Sequence, residues 1–124
     1  MSVSSPTHLM FGVPSIHEAS GDINPVEMAR VLSVSQAQLA RMLGVSRQNL
    51  QQSGRSAGVQ GGLRRLEYLF ARVRNLTGTE EKARIWLKMG HPDFEGMAPL
   101  ELLEGGHIEA VEDFVLAIET GVPR

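Results

Sequence analysis

The stretch LARMLGVSRQNL, residues 39–50, predicts two short helices joined by a tight corner at residues 44–46. Ala40 is small enough to let a second helix pack across the first, and Gly44 tolerates the positive φ that such a corner requires. Leu50 supplies the apolar residue that the second helix needs on its inner side. This arrangement is typical of a helix-turn-helix.

The second helix of this pair opens with polar side chains that suit the edges of DNA bases. In DNA-binding helix-turn-helix proteins, the N-terminal residues of the second helix enter the major groove. Arginine can form a forked contact with guanine, and asparagine or glutamine can pair with adenine. The predicted DNA-binding residues are Gln36, Arg41, Ser46, Arg47, Gln48, Asn49, Gln51 and Arg55. The alternative is that these residues are only the solvated face of a small helical core.

Charge is distributed unevenly along the chain, although the formal net charge is only −2. Residues 26–78 carry eight arginines and two glutamates, whereas residues 79–124 carry four cations and ten acids. A basic segment of this kind predicts a polyanion partner, and double-stranded DNA suits both the segment and the polar helix start. The acidic segment, which is also rich in apolar residues, predicts a different partner or a self-interface. Two solvated faces of one domain would give the same distribution.

Composition indicates a globular protein, with 42% hydrophobic and 21% charged residues. The absence of cysteine excludes disulfides, thiolate catalysis and cysteine-based zinc sites, and it favours a reducing compartment. No cationic N-terminal region precedes an apolar run, and no segment approaches the roughly 18 apolar residues of a membrane span. A cytoplasmic location without membrane contact is therefore predicted.

Apolar residues at helical spacing predict an all-α fold. The expected helices begin at or just after Pro25, Ser35, Ser46, Leu63, Thr79, Pro99 and Ile108. The glycine-rich stretch GRSAGVQGG, residues 54–62, is predicted to be a loop. The predicted division is a flexible N-terminal arm at 1–24, a helix-turn-helix region at 25–78 and a small helical domain at 79–124.

Catalysis is not expected from the residue patterns. The four histidines are isolated, and the sequence lacks the HExxH, GxSxG and GxGxxG motifs of common enzyme sites. Glu101 and Glu104 lie three residues apart and could form a carboxylate pair, but a solvated helix face is the simpler interpretation. We therefore predict no enzyme activity, no metal and no cofactor.

The second half of the chain carries an ordered set of short motifs. The run ARIWLKMGHPDFEGMAPLELLEGGHIEAVEDFVLAIETGV, residues 83–122, contains a Trp-Leu helix, a turn with an apolar residue and glycine, a Pro-Leu-x-x-Leu motif and a final amphipathic helix ending in glycine. This order resembles the C-terminal toxin-binding domain of bacterial Xre/MbcA/ParS-type antitoxins. Residues 25–76 are similar to the family's N-terminal Xre-like helix-turn-helix region. The stretch LEGGHIEA is richer in glycine than the family pattern leads us to expect.

The resemblance implies an antitoxin of a type II toxin-antitoxin pair whose toxin carries a RES domain and consumes or transfers from NAD. It also implies an all-helical homodimer that covers the toxin's active site and represses its own operon. The toxin-binding residues expected on this basis are Trp86, Phe94, Gly96, Pro99, Leu100, Leu103, Val122 and Arg124. A stand-alone transcriptional repressor is the alternative. A neutralising scaffold whose helix-turn-helix only dimerises is a third interpretation.

A toxin site that accepts NAD must hold a pyrophosphate and should carry cationic groups, which an acidic surface would complement. The acids expected on the rim of the contact are Glu101, Glu104, Glu109, Glu112 and Asp113. Apolar anchors would supply most of the affinity, because rim charges contribute little. The tail after Gly121 is expected to take part in blocking the site.

Overall fold

The computed structural model of the protein describes Val13 and residues 16–121. The α-helices in this part of the chain are α1 Pro25–Leu32, α2 Gln36–Leu43, α3 Arg47–Ser53, α4 Ala57–Thr77, α5 Glu80–Lys88, α6 Pro99–Glu104 and α7 Ile108–Thr120. A 3-10 turn at Pro92–Phe94 lies between α5 and α6. Within the described residues, extended pairing is limited to one bridge between His17 and Ile23. The predicted all-α fold is confirmed.

Polar side chains fix several helix starts at the predicted positions. Ser35 and Gln38 form a reciprocal capping box at the start of α2, as the sequence predicted. The hydroxyl of Ser46 accepts a hydrogen bond from Asn49 N at 3.0 Å, and Thr79 caps α5 in the same way. Each cap satisfies a backbone N–H that the helix itself leaves unpaired.

One hydrophobic core joins all seven helices. It contains Met28 of α1, Leu39 of α2, Phe70 of α4, Leu103 of α6 and Val115 of α7. The longest helix, α4, contacts α1, α2, α5 and α7, while α6 packs against α2, α5 and α7. The two helical regions expected from the sequence therefore share one core, and α6 is in direct contact with α2.

Two structural features, a membrane-spanning helix and a metal-binding group of side chains, are absent from the described residues. In the described part of the chain, no helix combines the length and the apolar character that crossing a membrane requires. Among the same residues, no three histidine or acidic side chains come together in a group suited to a metal ion.

The described part of the predicted N-terminal arm is packed into the fold. Gln60 of α4 holds this segment through both backbone groups of Ile23, accepting from its N–H at 2.8 Å and donating to its carbonyl at 2.9 Å. Two turns along α4, a Glu67 oxygen accepts from Val13 N at 2.9 Å and lies 2.6 Å from His17 Nε2. These two side chains belong to a helix that is distant in the sequence, so no local sequence pattern predicted their contacts with the N-terminal segment. The rest of the predicted arm lies outside the described residues.

The predicted glycine-rich loop at 54–62 is wrong from residue 57 onward, because α4 already begins at Ala57. Ser56 caps this start by accepting from Val59 N at 3.3 Å. A Cβ on Gly62 would lie 2.8 Å from a methyl group of Leu43, so glycine allows α4 to approach α2 closely. Tertiary packing here overrides the low helix propensity of glycine.

Candidate functional site

Helices α2 and α3 contact each other across the predicted corner. Gly44 adopts the left-handed conformation there, with φ +72°, and α3 begins three residues later. Leu50 is buried on the inner side of α3. The opposite side is open to solvent, and its exposed side chains are Arg47, Gln48, Asn49, Gln51 and Gln52. The structure thus places four of the predicted DNA-binding residues on one accessible surface.

Two other predicted DNA-binding residues, Gln36 and Ser46, lie at the starts of α2 and α3. The Ser46 hydroxyl oxygen is engaged as the cap of α3. Gln36 is half-buried and lines an open groove of about 470 Å³ together with Gln51 of α3 and Val26 of α1. The groove therefore brings the start of α2 and one side of α3 to the same surface.

The remaining two predicted DNA-binding residues, Arg41 and Arg55, are bound to carboxylates of this chain. Arg41 donates from Nε and Nη2 to one oxygen of Glu104, at 3.0 and 2.8 Å. Arg55 donates from the same two atoms to Glu18, at 3.1 and 2.8 Å. In this conformation both guanidinium groups are neutralised, so neither offers a free charge to a phosphate.

The basic and acidic segments of the sequence meet along α4 and α7. Arg65 lies 2.6 Å from Glu112, and Arg72 lies 2.7 Å from Glu119. Both pairs join residues 47 positions apart, so α4 and α7 run side by side in the same direction. The hydrogen bond from Arg65 lowers the pKa of Glu112 and raises the pKa of Arg65 itself. The bond with Glu119 likewise raises the pKa of Arg72.

Fewer cations remain for a polyanion than the residue count suggested. Arg47 and Arg64 are exposed, and neither side chain makes a hydrogen bond or ion pair within the part of the chain that the structure describes. Arg47 stands at the first position of α3, beside the exposed amide side chains. It is therefore the cation best placed to act together with the polar surface of α3.

An aromatic cluster connects α5, the 3-10 turn and α7. The ring of Trp86 is stacked with that of Phe114 at a centroid distance of 6.0 Å, and Phe94 meets Phe114 edge-on at 5.0 Å. His91 lies 5.0 Å from Trp86, and its Nε2 is 3.2 Å from the Trp86 carbonyl oxygen. The sequence singled out Trp86 and Phe94 but missed the other two. Phe114 lies three residues after Val111 and four before Ile118, so the apolar spacing of the last helix could have identified it, whereas His91 has no pattern of its own.

Gly96 shapes the turn that supports this cluster. Its φ is +86°, and its N–H donates to the His91 carbonyl at 3.0 Å. A Cβ on Gly90 would lie only 2.2 Å from the Gly96 carbonyl oxygen, so the two backbones touch at a position where no side chain fits. The N–H of His91 also donates to Met97 O at 3.1 Å. This hydrogen bond brings the chain after the turn back to the C-terminal end of α5.

Most of the apolar residues expected to contact a toxin are buried inside this chain. Phe94, Pro99 and Leu100 are buried, and only 2% of Leu103 is exposed. Their side chains are occupied in packing α6 and the turn, so they shape the surface from beneath. Direct contact of these residues with a toxin stays a prediction. Val122 and Arg124 lie outside the described residues.

The described residues of α4 to α7 include two exposed apolar faces. The first borders the aromatic cluster and consists of Ile85, Trp86, Met89 and Met97, which we call the α5 face. Ile85 and Met89 are each 52% exposed, whereas Trp86 is half-buried.

The second face consists of Tyr68 on α4 and Leu116 on α7, and we call it the α4–α7 face. These side chains are 47% and 51% exposed. Tyr68 lies between Arg65 and Arg72 on its helix, and Leu116 lies between the two acids that pair with them. Two ion pairs therefore flank the apolar centre of this face.

The segment that carries the α5 face and α7 can be compared with known domains. Residues 72–121 match the antitoxin Xre/MbcA/ParS C-terminal toxin-binding domain. The match supports an antitoxin function in a toxin-antitoxin system and implies a toxin as partner. Comparison with curated proteins and with solved structures gives no match.

The segment matching the toxin-binding domain contains the aromatic cluster, α6 and α7. It begins inside α4, seven residues before residue 79, where the predicted domain starts. Because its core side chains pack together with those of α1 and α2, it is continuous with the predicted DNA-binding region.

Proposed function

We propose that this protein is an antitoxin that neutralises a RES-domain, NAD-consuming toxin and represses its own operon by binding double-stranded DNA as a homodimer. The observation that carries the proposal is the match of residues 72–121 to a toxin-binding domain. The RES domain and the NAD chemistry rest on the resemblance of the motif order to Xre/MbcA/ParS-type antitoxins.

The α5 face is the proposed toxin contact. Tryptophan is enriched among the residues that dominate binding energy, and methionine adapts its shape to a partner surface. Ile85 and Met89 offer apolar area that the other described residues leave exposed. Their position beside the stacked pair Trp86 and Phe114 gives them a rigid support.

The acidic rim expected around this contact is smaller than the sequence suggested. Glu101, Glu104 and Glu112 each accept a hydrogen bond from another group of this chain. Glu109 and Asp113 are exposed on α7. These two acids are the proposed source of attraction toward cationic groups at an NAD site.

The outer side of α3 is the proposed DNA contact. Arg47 would read guanine, and the neighbouring amides Gln48, Asn49 and Gln51 would read adenine. A dimer is required because operator recognition by this kind of helix pair uses two half-sites about 34 Å apart. The α4–α7 face is the proposed dimer contact, as it combines exposed apolar area with both signs of charge.

Two variants with opposite expected losses test the proposal in one experiment. Ile85→Asp with Met89→Asp should abolish neutralisation of the proposed RES-domain toxin, yet leave promoter binding intact. Arg47→Ala should weaken promoter binding by about 1–3 kcal/mol and relax specificity at one base, yet still neutralise the toxin. Cellular NAD and growth report neutralisation, and a fluorescence titration of promoter and random duplexes reports DNA binding.

Each half of the proposal can fail separately in this design. Equal affinity of the wild-type protein for promoter and random DNA would remove the repressor function. Unchanged NAD loss in the presence of the wild-type protein would remove the antitoxin function against that toxin. A neighbouring gene that encodes no RES-domain protein would favour the stand-alone repressor.

A further inference from the structure

A single carboxylate connects the predicted DNA-binding helix pair with the segment that matches a toxin-binding domain. Glu104, the last residue of α6, accepts two hydrogen bonds from Arg41 of α2 on one oxygen, at 3.0 and 2.8 Å. Its other oxygen accepts from Gln38 Nε2 at 3.4 Å. Both carboxylate oxygens are thus directed at α2.

The position of Glu104 is set by the packing of α6. Leu100 and Leu103 are buried on the inner side of this short helix, and α6 lies directly against α2. The Glu104 side chain is 21% exposed, whereas that of Arg41 is 57% exposed. The carboxylate is the anchored member of the pair, and the guanidinium is the member that solvent and partners reach.

A DNA phosphate offers Arg41 the same kind of ligand as Glu104 does. Both groups present anionic oxygens to the planar fork of the guanidinium, so one arginine cannot satisfy both fully at the same time. Building on the DNA binding proposed above, we infer that Glu104 is an intramolecular competitor of the DNA phosphates for Arg41. The segment that matches a toxin-binding domain thereby sets the affinity of the DNA-binding surface.

Other ion pairs among the described residues do not make this connection. Arg55 is held by Glu18, which lies in the N-terminal segment, and Arg72 of α4 is held by Glu119 of α7. Within the described residues, Glu104 is the acid of the matched segment that is bonded to the α2–α3 pair. It is therefore the place where a change in α6 would alter the charge available to DNA.

The test compares two substitutions that remove the same charge from the full-length protein. Glu104→Gln keeps the side-chain size and releases Arg41, whereas the control Glu80→Gln removes one carboxylate from the exposed pair that Glu80 forms with Arg84, away from the α4–α7 face. Promoter affinity is measured by fluorescence titration at several salt concentrations, after thermal unfolding shows that both variants are folded. Glu104→Gln should bind the promoter roughly two- to fivefold tighter per half-site, because this factor corresponds to the free energy of one exposed ion pair. Its salt dependence should steepen by about 0.9 for each added phosphate contact, and Glu80→Gln should behave as the wild type.

A second substitution identifies the group responsible. In the double variant Arg41→Ala with Glu104→Gln, the gain should disappear, because the released guanidinium is no longer present. If the wild-type protein binds its promoter and Glu104→Gln binds no tighter than Glu80→Gln, the competition is disproved while the repressor function stands. If no variant prefers promoter DNA, the repressor function and the competition are both disproved.

Discussion

At the scale of single residues, buried polar side chains decide where the chain goes. Gln60 is only 2% exposed, yet its amide is fully used. It bonds both backbone groups of Ile23 and donates to the Gly54 carbonyl at 2.8 Å. One side chain of α4 thus fixes the N-terminal segment and the connection after α3 at the same time. A buried network in which every group is satisfied specifies a single arrangement of the chain.

Replacing Gln60 by leucine should destabilise the protein although the apolar volume of the core is kept. Backbone groups of Ile23 would lose their partners, at a cost of about 2–4 kcal/mol for the set. The free energy of unfolding in urea measures the effect, and Gln52→Leu, on the exposed side of α3, is the matched control. A loss no larger than that of the control would show that Gln60 does not hold the segment.

At the scale of secondary-structure elements, the parallel alignment of α4 and α7 rests on two ion pairs in the same register. Arg65 and Arg72 occupy one side of α4, and their partners Glu112 and Glu119 occupy the facing side of α7. The connection through α5 and α6 returns the chain so that the second helix runs in the direction of the first. The pairs therefore fix the relative position of two helices that are remote in sequence.

Acid should weaken this alignment through Glu112. The hydrogen bond from Arg65 lowers the pKa of Glu112 below its ordinary value of 4.5, so the folded state favours the charged carboxylate. The stability that this group contributes is present above the unfolded-state pKa and is lost as the pH falls through the folded-state pKa. Glu112→Gln should therefore lower stability at pH 7 and reduce its further loss toward pH 3, as measured by urea unfolding. Glu95→Gln, at an exposed turn position, is the control and should follow the wild type; an identical pH profile for both variants would contradict the assignment.

At the scale of the whole molecule, the two exposed apolar faces separate the two proposed protein partners. The α5 face lies beside the aromatic cluster, whereas Tyr68 and Leu116 lie between the ion pairs of α4 and α7. A two-fold axis across the α4–α7 face would set the arginine side of one copy against the glutamate side of the other. Homodimerisation and toxin binding would then use different surfaces and could occur together.

Leu116→Glu should dissociate the proposed homodimer. The new carboxylate would lie between Glu112 and Glu119 and would add a third negative charge to the centre of the contact. Light scattering at micromolar concentration should give a dimer for the wild type and a monomer for the variant. Ile85→Glu, on the α5 face, serves as the control and should remain dimeric. A monomeric wild type, or a dimeric Leu116→Glu, would rule out this face as the dimer contact.

The features that sequence predicted well are those encoded within a few residues. The caps Ser35, Ser46 and Thr79 and the corner at Gly44 each depend on neighbours within one helical turn, and each was found as expected. The partners of Arg41 are different, because Glu104 lies 63 residues away and no local pattern links them. Because the partners are so distant in sequence, the sequence did not reveal which arginines are paired with carboxylates. It showed where positive charge is concentrated but not how much of that charge is left unpaired.

The apolar motif residues of the second half were identified, but their exposure could not be. Leu100 and Leu103 have the same hydropathy whether they face a partner or the core, and only the packing of α6 on α2 distinguishes the two. The start of α4 at Ala57 could not be predicted for a related reason. The glycines at residues 58, 61 and 62 disfavour a helix locally, and the contacts that outweigh this cost are formed with other elements.

The anchoring of the N-terminal segment by α4 sets an order of events during synthesis. Val13, His17 and Ile23 leave the ribosome first, but their partners Gln60 and Glu67 follow 37 to 54 residues later. At about 5–20 residues per second, this segment waits roughly 2–10 seconds for its binding site to exist. The apolar side chains of the segment are unprotected throughout that interval. Nascent chains stalled before residue 60 should therefore be more accessible to chaperones and proteases than chains stalled after α4 has emerged.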